Sequence, residues 1–264
     1  MTTSHQNREE ELKALGRLLD IMDELRSKCP WDKEQTFESL RNNTIEEAYE
    51  LADALLLNNK EEIKKELGDL LLHIVFYSKI GSESGDFTIR EVADAISEKL
   101  IFRHPHVFGN TNVNNNAELV VKNWEELKIK EGNTSVLGGV PQALPALIKA
   151  NRIQEKARAV GFDWDQREQV WDKVEEELQE LKAEIQSNNV GNIKKEFGDL
   201  FFSMVNAARL YGIDPETALE YTNQKFISRF NYLESRTIKQ GQKLNEMSLD
   251  EMNRIWEEAK KFEV

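Results

Sequence analysis

The chain has 264 residues, 39% apolar and 31% charged, with a net charge of −13. That charge excludes extended contact with nucleic-acid backbone or anionic lipid, but not a phosphate ligand bridged through a cation. No run approaches the roughly 18 apolar residues of a membrane span. The lone Cys29 excludes an internal disulfide and fits a reducing cytosol. With only four histidines beside it, a structural zinc site is not expected.

Glycine (13) and proline (5) are scarce, which favours helices. Met1 to Glu11 is polar and mixed in charge, and is expected to be neither signal nor transit peptide. Leu12, Leu15, Leu18, Leu19, Met22 and Leu25 recur at three and four, predicting an amphipathic helix that stops near Cys29-Pro30. Cys29-Pro30-Trp31-Asp32 reads as an ordered turn. Thr44, three before Glu47, predicts a capping box at a helix start. A helix carrying Ile63, Leu67, Leu70, Leu71, Ile74 and Val75 follows, ending around Gly81 and Gly85. Thr88 opens another to about Phe102. Asn110 to Asn116 is expected to be a mobile loop, and Ala117 to Lys130 a helix holding Trp124. Residues 132–141 are glycine-rich and predict a linker between domains at 1–131 and 142–264. Beyond it come a helix at 143–159, a tryptophan turn at Gly161-Phe162-Asp163-Trp164-Asp165, and helices near 167–186, 190–211, 215–236 and 248–262. No strand pattern competes, so the fold is expected to be all-α.

The two halves repeat. Glu46-Glu47-Ala48-Tyr49-Glu50 and Ile63-Lys64-Lys65-Glu66-Leu67-Gly68-Asp69-Leu70 have counterparts 130 residues on. These are Glu176-Glu177-Leu178-Gln179-Glu180 and Ile193-Lys194-Lys195-Glu196-Phe197-Gly198-Asp199-Leu200. Over residues 46–72, 13 of 27 positions match without a gap, the mark of a duplicated module. Glu47 and Glu50, then Glu66 and Asp69, form pairs spaced by three. Glu177 with Glu180 and Glu196 with Asp199 repeat them. Residues three apart share a helix face, and a turn at Asn58-Asn59 or Asn188-Asn189 would bring the pairs together. Two like charges about 5 Å apart at an effective dielectric near 20 cost roughly 3 kcal/mol. Protonation, lysines or a metal must offset that, and all-oxygen ligands suit Mg²⁺, with Mn²⁺ as a substitute. The bland alternative is a solvated acidic face bridged by Lys64, Lys65, Lys194 and Lys195.

A second set of residues follows each acid set. Lys225 and Arg229 are four apart, as are Lys99 and Arg103. Trp256 precedes Lys260 by four, as Trp124 precedes Lys128. Cations near an acid-bound metal can hold phosphate oxygens, and tryptophan can stack on a base. The alternative is surface lysines and a core tryptophan.

The order EExxE, ExGD, KxxxRF, WxxxK resembles the MazG family of all-α nucleoside triphosphate pyrophosphohydrolases. Cys29-Pro30-Trp31-Asp32, Arg103-His104-Pro105-His106-Val107-Phe108 and Val160-Gly161-Phe162-Asp163-Trp164 resemble signatures of its two-domain members. The resemblance spans nearly all the chain after Glu11. It implies helix-bundle domains, Mg²⁺ dependence, homodimers and cleavage of a nucleotide between the α and β phosphates. Lys195 is a departure, since relatives carry an acid there. On this reading Glu177, Glu180, Glu196 and Asp199 hold Mg²⁺, and Lys225 and Arg229 neutralise the triphosphate. Lys173, Glu176, Asn192, Lys195, Trp256 and Lys260 complete the nucleotide-binding set. Glu47, Glu50, Glu66 and Asp69 form a second, degenerate site. The expected enzyme is cytosolic and of broad base specificity, with no nucleic-acid or membrane partner. Narrower hydrolysis of dUTP or a guanosine alarmone, and a non-catalytic nucleotide-binding or scaffold role, stay open. A di-iron protein would need Glu-x-x-His, which these acids lack.

Overall fold

A chain poor in glycine and proline, with apolar residues at three and four, has one direct way to bury them, which is helix on helix. A computed structural model describes residues 2–112, 135–239, 241 and 243–262, with 119, 120, 123 and 127 between them. Among the described residues there is no strand, and the fold is all-α as expected. None of their helices is long and apolar enough to cross a membrane. The chain divides into two compact units, Met1–Ala117 and Glu118–Val264. The expected helix around Trp124 and the 113–116 part of the expected loop lie largely outside the described residues.

The first unit contains α1 (Thr2–Lys28), α2 (Pro30–Glu34), α3 (Arg41–Leu56), α4 (Lys60–Ser84), α5 (Ile89–Arg103) and α6 (Pro105–Phe108). Helix α4 is its axis, with α1, α3 and α5 all packed on it. Met22, Leu40, Val75 and Phe76 are its buried core, flanked by Leu18, Leu19, Leu71, Leu72, Tyr77 and Ile80. Two local expectations are corrected. Residues 29–32 are not a plain turn, because Cys29 is extended and Pro30 opens the short helix α2, where its missing N–H costs nothing. Thr44 is not a cap. Thr36 and Ser39 bond each other's backbone N–H, and the chain enters α3 three residues before Thr44. The Thr44 hydroxyl instead meets the Leu40 carbonyl, His73 Nδ1 (3.1 Å) and Tyr77 Oη (2.6 Å).

The second unit contains α7 (Ala146–Ala159), α8 (Val170–Ser187), α9 (Val190–Leu210), α10 (Pro215–Lys239) and α11 (Leu249–Ala259), with 3₁₀ turns at Arg167–Gln169, Leu244–Glu246 and Lys260–Phe262. Helix α7 starts three residues later than expected, since Pro145 occupies its N-cap. Helices α8 and α9 form a hairpin, α7 lies on α9 and α10, and α10 carries α11.

The α3–α4 and α8–α9 turns are the same device. Asn58 and Asn188 adopt the left-handed conformation, with φ of 52° and 55°. Asparagine tolerates this better than other non-glycine residues. Asn59 and Asn189 then cap the next helix by accepting from the Glu62 and Asn192 backbone N–H. This brings the acid pairs of each hairpin face to face.

One arginine locks each unit. Arg26, its side chain 10% exposed, pairs with Glu83, stacks over Phe76, and donates to the carbonyls of Asp32 and Gln35. It thereby ties α1, α2 and α4 together. Arg209, 7% exposed, holds Asp163 through two N–H groups and joins the turn after α7 to α9. Burial pushes the Asp163 carboxyl up, but the Arg209 hydrogen bond and charge more than offset that, so its pKa lies below the usual aspartate value.

Arg26→Ala should lower unfolding stability by about 2–4 kcal/mol, because it strands two carbonyls and a carboxylate at once. A urea titration followed by helical signal measures this. The Asp163 contribution has a defined sign. A depressed folded pKa stabilises above the unfolded value of about 4 and is lost as pH falls through the folded value. Asp163→Asn should therefore lower the melting temperature at pH 7. The gap to wild type should narrow as the pH is taken below 4.

Candidate active site

The hairpin α8–α9 draws three of the four predicted acids of the second half together. Carboxylate oxygens of Glu177, Glu196 and Asp199 lie within 4.8 Å of one another. Glu47, Glu66 and Asp69 do the same on α3 and α4. The fourth acid of each set, Glu180 or Glu50, is exposed and stands outside the trio. Glu180 is still close enough to matter. Partial burial, followed by the charges of Glu180, Asp199 and Glu177, holds the Glu196 carboxyl above its ordinary value. Glu47 is raised likewise, by burial and then by Asp69 and Glu50. Glu66 is 3% exposed, and its Oε2 is buried without a hydrogen-bond partner. Crowded acids with raised pKa values and an unsatisfied oxygen are what a site for a hard cation looks like before the cation binds.

Lysines already offset part of this charge. Lys173 contacts Glu177 at 2.7 Å and Glu176 at 2.9 Å, and these bonds hold its ammonium well above the usual lysine pKa. In the first half Lys65 bonds Glu66 at 2.8 Å. Lys195, its counterpart, is exposed, and Asn192 sits half-buried in the first turn of α9.

Two of the second-half trio, Glu177 and Asp199, line a cavity of about 660 Å³. Glu177, Asp199 and Lys173 line one part of it, and Phe162, Trp164 and Phe202 supply aromatic wall. Gln154, Asn206 and the Asp163–Arg209 pair also line it. The sequence reading missed Gln154, Asn206 and Arg209. A signal existed, since Asp199, Ser203 and Asn206 make a polar stripe at four and three within the otherwise apolar stretch 197–208.

The first half differs at the same repeat positions. Ser203 corresponds to His73, Asn206 to Phe76 and Ala207 to Tyr77. Phe76 is 3% exposed in the core and His73 is buried, which lowers its pKa. Tyr77 stacks on Phe37. Of the three second-half residues, Ser203 and Asn206 line the cavity, and larger side chains stand at both positions in the first unit.

The predicted basic residues are placed elsewhere in the second unit. Lys225 and Arg229, with Tyr221, Gln224 and Tyr232, line a separate concavity of about 680 Å³. Trp256 packs against Phe226 at 5.0 Å under the Arg229 guanidinium, and Lys260 pairs with Glu257. Lys99 and Arg103 lie on α5, and Trp124 and Lys128 fall outside the described residues.

The MazG nucleotide pyrophosphohydrolase domain matches the chain twice, over residues 35–108 and 166–233. A nucleoside triphosphate pyrophosphohydrolase/pyrophosphatase MazG of Thermotoga maritima is 44% identical over 248 residues, covering 92% of this chain and 94% of that protein. A nucleoside triphosphate pyrophosphohydrolase of Escherichia coli is 39% identical over 262 residues, 96% of this chain and 99% of its own. The uncharacterised protein YabN of Bacillus subtilis is 45% identical over 239 residues, about half of its length. Each match to the domain spans one acid-bearing hairpin, and the chain belongs to the MazG family of nucleotide pyrophosphohydrolases.

Proposed function

We propose that the chain hydrolyses nucleoside triphosphates to monophosphate and pyrophosphate, at the second-half acid trio, with broad tolerance for the base. One observation carries this reading: two of three clustered carboxylates, Glu177 and Asp199, line an aromatic-walled cavity of about 660 Å³, within the room a nucleotide needs. Glu177, Glu196 and Asp199 would hold Mg²⁺. When bound, the ion would supply charge for the phosphates and a more acidic water.

The chain's own residues do the rest. Glu180 stands outside the trio, so it is the acid available to orient a water and take its proton. The water oxygen attacks the α phosphorus, the α–β bridging bond breaks, and pyrophosphate leaves with the bridging oxygen. Lys173, one turn before Glu177, is a cation already positioned to meet a phosphate. Trp164 and Phe162 line the cavity and offer aromatic faces to a base.

Lys225 and Arg229 do not share this cavity within one chain, so their predicted role on the triphosphate calls for a second copy. The exposed apolar side chains on α9 and α10, with Phe201 61% and Phe226 57% exposed, support a homodimer that closes the site this way. The first half reads as a degenerate site, because His73 and Phe76 stand where the hollow would be. A cytosolic housekeeping role in the nucleotide pool suits the lone free cysteine and the acidic charge.

Glu196→Gln/Asp199→Asn should abolish pyrophosphate release while helicity is kept, and Glu66→Gln/Asp69→Asn should leave most of it. Excess chelator should silence the wild type, with Mg²⁺ restoring it. Activity in chelator, or a larger loss from the first-half pair, would overturn the metal or the half assigned. The shared site has its own measurement. Glu196→Gln and Lys225→Ala should each be inactive alone. Mixed and allowed to exchange, they should recover about a quarter of wild-type activity under random pairing of a twofold dimer. No recovery would place Lys225 outside the partner's site.

A further inference from the structure

The cavity holds two carboxamides, each pinned at one end and in opposite senses. Gln154 is 6% exposed on α7, and its Nε2 donates to the Phe202 carbonyl at 2.8 Å. A carbonyl only accepts, so the orientation of this amide is settled. Its other end, Oε1, is a buried acceptor with no partner. Asn206 on α9 is pinned the other way. Its Oδ1 accepts from Arg209 Nε at 3.1 Å and Nη2 at 2.7 Å. A guanidinium only donates, so Nδ2 must be the remaining end, and among the described residues no acceptor meets it. The Asp163–Arg209 pair fixes the guanidinium, which in turn fixes the amide. The wall around them is apolar and aromatic, with Ile153, Phe162, Trp164 and Phe202.

We infer that Gln154 and Asn206 are specificity-determining residues that read the hydrogen-bonding edge of a nucleobase inserted in this cavity. Gln154 offers the acceptor and Asn206 the donor. Every nucleobase presents at least one N–H and one acceptor on its pairing edge, so the pair admits all bases and rejects a ligand that has none. Flat aromatic walls suit the faces of the same ring. The repeat supplies a built-in contrast, since the counterpart of Asn206 is the core residue Phe76. This inference rests on the second-half cavity being the nucleotide site.

The test uses the full chain with Mg²⁺ and two kinds of probe. One is the set of ATP, GTP, CTP and UTP, followed by kcat/KM. The other is base-free ribose 5-triphosphate, followed by its Ki against ATP. Gln154→Leu removes the acceptor. Asn206→Asp keeps an oxygen on Arg209 and turns the donor into an acceptor, so it retains the fold even if the first variant does not. Each should lower kcat/KM for the nucleotides about tenfold or more, chiefly through KM, and leave the Ki of ribose 5-triphosphate unchanged. Unaltered kcat/KM in the variants would overturn the inference. So would an equal loss toward the base-free probe, which would mark a structural or catalytic effect. Wild type releasing no pyrophosphate from any of the four nucleotides would overturn the parent reading, and this one with it.

Discussion

Crowded negative charge governs the second unit. Two carboxylates about 5 Å apart repel by roughly 3 kcal/mol at an effective dielectric near 20, and each hairpin gathers three. The helices hold them there because the Asn-Asn turn of each hairpin, left-handed at its first residue and capping the next helix with its second, sets the two helices side by side. The repulsion is met locally by Lys173 or Lys65, and by carboxyl pKa values that rise at Glu196 and Glu47. Helix packing thus supplies the energy by which the acids are kept together, and their unmet charge is the affinity offered to a cation.

The same constraint explains the cavity. A hollow beside charged groups survives only if its rim is rigid. Arg209 supplies rigidity by spanning from the Asp163 turn to α9, and Gln154 fastens α7 to the same helix through the Phe202 carbonyl. Arg26 plays the corresponding part in the first unit, where it ties α1 to α2 and α4. Buried charge serves architecture in one unit and architecture around a void in the other.

Much of this was legible in the sequence. The 130-residue repeat, the acid spacing and the helix ends at Lys28, Gly85 and Asn188 follow from periodicity, proline, glycine and asparagine chemistry, which are local. Thr44 misled because its cap pattern is sound, and only the reciprocal Thr36–Ser39 turn upstream starts the helix sooner. Glu180 and Glu50 share the spacing of the trio but stand exposed outside it, and spacing along a helix gives a shared face without saying which carboxylates on that face meet. Lys225 and Arg229 carried the right chemistry in the right order, yet order along the chain does not say which concavity a side chain lines. Gln154 was invisible, because a lone glutamine in a helix has no pattern until its partner carbonyl, 48 residues away, is in place.

The matched positions on α4 and α9 bear on how such a protein changes over time. His73 against Ser203, Phe76 against Asn206 and Tyr77 against Ala207 fall within two turns of one helix. Ser203 and Asn206 line the cavity of the second unit, His73 and Phe76 are buried in the first, and both units keep an acid trio. Two copies of one module can diverge at interior positions so long as each core packs. Because an acid trio stands in both units, smaller side chains at 73 and 76 are the changes that would bring the interior of the first unit nearer to that of the second.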